Sequence, residues 1–211
     1  MDDIVAQAMA RWPDVPAVYG WLRLDKRGRW LVKGEPIGHR PTIAFINRNY
    51  HRDARGRYYF QNGPQRVFVD LEHCPFVLSL TPTRLTSAPL APARPGLPAS
   101  ASLVTHLGEP VTAARRGWVD AQAGVLIEFE HGVGSMLDRD LPALVECFLD
   151  GCGGRLNEQG WADALAGSGA DLTLALDCGL IPMATLPHAA GAAPFDFIDR
   201  PRPDADEDAC T

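Results

Sequence analysis

The chain has no Cys-x-x-Cys pair, no His-x-His, no two histidines at helical spacing, and no apolar run near the roughly 20 residues that cross a bilayer. Its five cysteines (Cys74, Cys147, Cys152, Cys178, Cys210) are odd in number, so neither a disulfide framework nor a zinc ribbon is indicated and reduced thiols are expected. The six histidines are dispersed, and no metal site is expected. A secretory leader would be basic, whereas the chain starts Met1, Asp2, Asp3, Ile4; a cytoplasmic protein is expected. Dinucleotide chemistry is disfavoured too. His131, Gly132, Val133, Gly134 starts like a phosphate-binding loop, but Leu137 stands where the third glycine belongs, and Asp138 and Asp140 would repel phosphate. Gly167, Ser168, Gly169 lacks the spacing of a nucleophile elbow. His73 and Cys74 are adjacent, and in an extended chain they project to opposite faces, too far apart to act as a nucleophile and its base. No catalytic residue and no cofactor is assigned.

What remains is an ordinary globular composition, 46% hydrophobic and 22% charged over 211 residues, enough for one large or two small domains. The net charge of −6 is uneven: residues 1–80 carry 12 Lys/Arg against 8 Asp/Glu, and the rest 8 against 18. The two halves therefore favour mutual attraction. The amino-terminal surplus is too small and scattered for a phosphate-backbone stripe, so nucleic acid is not expected as a partner, nor is a membrane. The acidic, proline-broken end around Asp204, Asp206, Glu207 and Asp208 is expected to fray.

The strongest pattern is repetition. Gly20 and Trp21 return as Gly117 and Trp118, Leu31 to Gly34 as Phe129 to Gly132, and Gly56 and Arg57 as Gly154 and Arg155, all at an offset of about 97 to 98. An internal duplication follows as the expectation: an α+β protein of two tandem sheet-plus-helix modules with mostly antiparallel strands. The first module, residues 1–80, opens with a helix capped by Asp2 or Asp3 and ended by Pro13 and Pro16. A hairpin turning at Asp25 to Gly28 follows, then a helix started by Pro41 and running to about Tyr50, a turn at His51 to Gly56, and strands at 57–61, 66–71 and 76–80. Five prolines in the Ala/Ser/Thr-rich stretch 81–102 mark a linker. The second module, 103–186, repeats the order, with a helix from Leu141 to Leu149 capped by Asp138 or Asp140 and stopped by Gly151 to Gly154. Residues 187–211 form a largely irregular tail.

Trp30 to Ile37, Phe45, Asp53 to Tyr58, Pro64, Val67, Val69 and Cys74 to Phe76 together resemble a bacterial family of unknown function. The run Phe60 to Val69 resembles uncharacterised proteobacterial proteins of similar length. The resemblance implies a duplicated α+β motif, a second domain like pleckstrin-homology folds, and a role in signalling.

One stretch gathers binding chemistry. Gln61, Asn62, Gln65 and Arg66 put amides and a planar guanidinium within six residues at a strand end, suited to a polar or anionic ligand. His39, Arg40 and Trp30 are added as candidate ligand-binding residues, Trp30 as one wall beside Tyr58, Tyr59 and Phe68. The bland alternative makes Asn62 and Gly63 a hairpin turn, pairs Arg66 with Asp70 or Glu72, and buries the aromatics in a core. The functional expectation is a non-enzymatic ligand-sensing or interaction protein, with a small polar molecule or a partner segment between modules. Two alternatives stay open: an enzyme using His39, Arg40 and Arg66 on a small anionic substrate, and a structural adaptor working through a strand edge or the acidic tail.

Overall fold

The computed structural model describes residues 2–12, 15–82, 101–120, 124–166, 172–186, 195–204 and 209–210. The chain opens with α1 (Asp3–Arg11), β1 (Ala17–Leu24), β2 (Trp30–Val32), β3 (Glu35–Pro36), α2 (Arg40–Arg48), β4 (Tyr50–Arg52), β5 (Tyr58–Asn62) and β6 (Gln65–Leu71). It continues with β7 (Phe76–Pro82), β8 (Ala101–Thr105), β9 (Ala114–Val119), β10 (Val125–Phe129), β11 (Gly132–Met136), α3 (Leu141–Val145), β12 (Phe148–Leu149), α4 (Glu158–Leu165), β13 (Leu172–Leu176) and β14 (Gly179–Thr185). A short β15 (Ala209–Cys210) closes it. Two compact units result, Met1–Pro75 with Phe195–Thr211, and Phe76–Pro194. Among the described residues no helix is long and apolar enough to cross a membrane.

The α+β class holds, with one sheet in each unit, but the sheets are mixed and not mostly antiparallel. The first runs β3-β2-β1-β6-β5-β4, with β15 also on β1; the second runs β12-β13-β14-β9-β10-β11-β7-β8. Neighbouring strands joined by tight turns are antiparallel, but β1 lies parallel to β6, and β9 to β14. Parallel neighbours require a long crossover, and here it is a whole run of strands and helix that brings the chain back in its starting direction. The order of three strands, helix, three strands, with first and last paired in parallel, recurs in both sheets, the second having α4 inserted between β12 and β13. β7 and β8 extend the second sheet, β7 lying parallel to β11.

A single turn chemistry closes four of these connections. Asp25, Asp53, Asp120 and Asp150 each accept, on a side-chain oxygen, the N–H of the residue four places on, at 2.8, 2.8, 2.7 and 2.8 Å. Each also donates its own N–H to that residue's carbonyl, at 3.0, 2.9, 2.9 and 2.8 Å. An aspartate bonding backbone ahead of itself mimics a further turn of chain and tolerates the tight conformations that follow, so it ends the strand before it and, after Asp25, Asp53 and Asp120, leads into the next.

Several local expectations change. Asp2 occupies the cap position of α1 without a capping bond; its carboxylate goes to Arg48 at 3.2 Å, and its N–H to Asn49 Oδ1 at 2.9 Å. α3 stops at Val145, four residues short of the expected end, because Phe148 and Leu149 are taken up as a strand against Leu174 and Thr173. Gly151 to Gly154 therefore joins β12 to the chain beyond and does not stop a helix. Asp140 sends its carboxylate to the Leu80 N–H at 3.0 Å and makes no capping bond. Gly132 to Gly134, the fragment of a phosphate loop, is strand β11. Of the linker stretch, residues 83–100 lie outside the described residues, while Ala101 and Ser102 pair with Pro82 and Thr81.

Candidate functional site

The first sheet has two unlike faces. Strand alternation sends Trp30, Tyr50, Tyr58 and Phe60 to the face covered by α2, where Ile46 is buried and Phe45 meets Phe60 edge-on at 5.4 Å. There Trp30 lies edge-on to Tyr50 at 5.2 Å and donates its indole N–H to Asn47 Oδ1 at 2.8 Å. On the other face Tyr19 of β1 stacks on Phe68 of β6 with centroids 4.5 Å apart and planes 11° from parallel. Tyr59 of β5, directly opposite Phe68 in the register, leans on it at 5.7 Å. Two guanidiniums sit on these rings: Arg57 over Phe68 at 4.4 Å and Arg66 over Tyr59 at 5.1 Å. Cations over aromatic faces are held by the ring quadrupole.

Arg57 is the anchor. It is only 6% exposed, and a guanidinium at that depth is tolerable only when its donors are met. Its Nε donates to Asp53 Oδ2 at 2.7 Å, its Nη1 to the Tyr19 hydroxyl at 3.2 Å, and its backbone N–H to Asp53 Oδ1 at 2.8 Å. Burial raises the Asp53 carboxyl, but the bonds and charge of Arg57, with the Arg55 N–H, outweigh it and leave it below its ordinary range. Asp53 is thus ionised and committed to its partner, with both oxygens already accepting hydrogen bonds.

The segment after Phe195 runs across this turn. Arg52 pairs with Asp196 at 2.6 Å, the Ile198 N–H donates to the Gly56 carbonyl at 3.0 Å, and the Leu71 N–H to the Asp199 carbonyl at 2.7 Å. Gly56 is required here: its φ is +82°, and a Cβ would stand 2.9 Å from the Asp196 carbonyl oxygen. Farther on, one carboxylate oxygen of Asp204 is shared between Arg55 and Arg57, 3.4 Å from Arg57 Nη1. Of the acidic residues expected to fray, Asp204 makes these contacts, while residues 205–208 lie outside the described residues.

Between these parts lies an open cavity of about 520 Å³ lined by Asp53, Ala54, Arg55, Arg57, Tyr59, Arg66 and Asp204. Three guanidiniums face two carboxylates there, and Asp53 is spent on Arg57, so the cavity has a surplus of cationic hydrogen-bond donors. Planar guanidinium forks match carboxylates and phosphates.

Of the sequence candidates, Arg66 lines this cavity. Gln61 is buried and donates its amide to the Gly63 carbonyl at 2.8 Å; Gln65 donates to the Pro16 carbonyl at 3.1 Å; Asn62 is exposed at the end of β5. Trp30 is on the opposite face, and His39 and Arg40 begin α2, with His39 Nδ1 at 2.8 Å from the Thr42 hydroxyl. Arg66 is therefore not brought together with His39 and Arg40. Tyr59, named from the sequence as a possible wall, lines the cavity too, whereas Asp53, Arg55, Arg57 and Asp204 were missed. The available signal was the Asp-x-x-Gly-Arg spacing of Asp53, Gly56 and Arg57, legible as a turn but not as a salt-bridged cation. Among the described residues no group of three or more His, Cys, Asp or Glu could hold a metal ion.

A family model described as "Protein of unknown function (DUF2946)" matches residues 1–202. No match was found among the curated proteins. Among solved structures, a DUF1285 family protein from Silicibacter pomeroyi superposes with a TM-score of 0.51 at 15% identity, covering 88% of this chain and 97% of that one, a likeness of fold alone. A DUF1285 family protein from Shewanella baltica gives a TM-score of 0.37 at 15% identity, covering 59% of this chain and 87% of that one.

Proposed function

We propose, for a chain that belongs to this family of unknown function, a non-enzymatic sensing role in which the first unit binds a small anionic molecule in the cavity beside Arg55, Arg57 and Arg66. The observation that carries the reading is the buried Arg57: a cation fixed by Asp53, Tyr19 and Phe68 in a position where one edge still faces a cavity holding two further arginines. Fixing donors before the ligand arrives lowers the ordering cost of binding. Binding is favoured over catalysis because Asp53 already accepts hydrogen bonds on both oxygens and is poorly placed to accept a substrate proton.

The common strand order of the two sheets supports descent of both units from one duplicated motif. In this reading one copy was elaborated: Arg57 is buried and capped by the carboxy-terminal segment, whereas its counterpart Arg155 is exposed and pairs with Glu146 at 2.9 Å. A bacterial signalling role, as the sequence resemblance implies, fits a protein that reports an anion without transforming it.

Calorimetric titration of the full chain with inorganic phosphate and with citrate, at constant ionic strength, tests the reading. Saturable binding of one of them is expected, weakened roughly 10-fold or more in Arg66→Ala, whose side chain is exposed and whose loss leaves folding intact. No saturable heat with either anion, or binding that Arg66→Ala leaves unchanged, refutes it.

A further inference from the structure

We infer that Asp204 is a tethered stand-in for the ligand's anionic group: its carboxylate occupies the Arg55–Arg57 position, and an incoming anion binds by displacing it. This rests on the anion-binding reading above and adds how that site is regulated. One Asp204 oxygen lies between two guanidiniums, the arrangement a bound carboxylate or phosphate oxygen adopts, and the residue also lines the cavity.

The chain around Asp204 is built to present it. Upstream, the segment is fixed by Arg52 with Asp196, by the Ile198 N–H on Gly56, and by the Leu71 N–H on Asp199; downstream, Ala209 and Cys210 pair in parallel with Ala17 and Val18 of β1. Asp204 is consequently held near the arginines at high effective concentration whether or not it is bound to them. Its pair with Arg55 is open to solvent. The Arg55 and Asp204 side chains are 59% and 38% exposed, and ion pairs that wet contribute little. By contrast, Arg57 remains fixed by Asp53 and Tyr19 without it. Release of Asp204 leaves Arg57 in place at the cavity wall and turns the local balance there from three cations against two anions to three against one. The device is a latch: the anion competes with a carboxylate of the same chain, and the occupied state differs from the empty one in the position of the carboxy-terminal segment.

A competing internal carboxylate lowers apparent affinity by the fraction of time it occupies the site. Removing its charge therefore tightens ligand binding, opposite to the usual effect of mutating a residue that lines a site. Titration of wild type, Asp204→Asn, Asp204→Ser and Arg66→Ala with inorganic phosphate and citrate reads this directly. Both Asp204 variants are expected to bind roughly 2- to 10-fold more tightly than wild type. Using two substitutions guards against one that perturbs the segment, and circular dichroism establishes that each is folded. Equal affinity in wild type and both variants overturns the latch while leaving the anion site standing. Weaker binding in both overturns it as well, and makes Asp204 a ligand contact. Absence of binding in all four proteins removes the anion site and the latch with it.

Discussion

Asp53 and Arg57 are joined three times within five residues: the Asp53 N–H donates to the Arg57 carbonyl at 2.9 Å, the Arg57 N–H returns to Asp53 Oδ1 at 2.8 Å, and Arg57 Nε reaches Oδ2 at 2.7 Å. Asp25 and Arg29 repeat all three bonds, at 3.0, 2.8 and 2.7 Å. What separates the pairs is solvent. The Arg57 side chain is 8% exposed and that of Arg29 is 52%.

That difference makes a paired prediction. Asp53→Asn takes from a buried guanidinium the carboxylate bonded to its Nε and is expected to cost the first unit about 3 kcal/mol or more, whereas Asp25→Asn, whose arginine recovers water, costs about 1 kcal/mol. Urea unfolding of the two variants at pH 7 checks it, and equal losses would show that the Arg57 pair contributes no more than the turn. The sign with pH follows. The Asp53 carboxyl lies below its ordinary value when folded, so its contribution is full above the unfolded carboxylate range and is lost as pH falls through the folded value.

How much of this was legible in the sequence depends on the range of the interaction. The hairpin at Asp25 to Gly28 and the Pro41 start of α2 are local, set by turn chemistry and a missing N–H, and both are present. Strand β4 and the short α3 were misread because Tyr50 and Phe148 sit at helical spacing from earlier apolar residues, yet each is recruited by a strand partner distant in sequence, Phe60 and Leu174. The cavity was least legible. Arg57 and Asp204 are 147 residues apart, and no spacing rule connects them.

Trp30 and Arg40 divide the sequence candidates in a measurable way. Trp30→Phe keeps the ring in the α2 face but loses the indole bond to Asn47, so a stability loss of about 1–2 kcal/mol is expected with phosphate affinity unchanged. Arg40→Ala, at an exposed helix start, is expected to stay within about 0.5 kcal/mol of wild type and to leave affinity unchanged too. Denaturant midpoints beside calorimetry give both readings, and a drop in affinity for either variant would move the site toward the α2 face.

Gly56 and Gly153 hold nearly the same backbone conformation, with φ of +82° and +78°, but differ in what lies above them. Gly153→Ala meets open space and carries only the left-handed penalty, about 1 kcal/mol. Gly56→Ala adds a contact of 2.9 Å with the Asp196 carbonyl and is expected to cost about 2–3 kcal/mol and to detach the carboxy-terminal segment. Hydrogen exchange at the Ile198 and Leu71 amides, which are bonded through that segment, reads the detachment. Protection as in wild type at both amides would show that the segment is not seated through Gly56.

In the second unit, His106 should set a limit on acid stability. Its Nδ1 accepts the Val77 N–H at 3.3 Å, and its Nε2 is shut off from solvent. Burial pushes its pKa down from 6.5 to about 3, so the folded protein holds the ring neutral while the unfolded chain protonates it. The depressed value fixes the sign: between these two pH values the unfolded state binds more protons, so stability is full above about 6.5 and falls as the solution is acidified toward about 3. Linkage caps the loss at about 4–5 kcal/mol, and the half-buried setting of the residue makes the expected loss smaller. His106→Leu forfeits the Val77 bond at every pH and so starts about 1 kcal/mol lower at pH 7, but its stability should decline less steeply from pH 6.5 to 4. Unfolding midpoints across that range decide the point, because parallel curves for variant and wild type would assign the acid sensitivity to carboxylates instead.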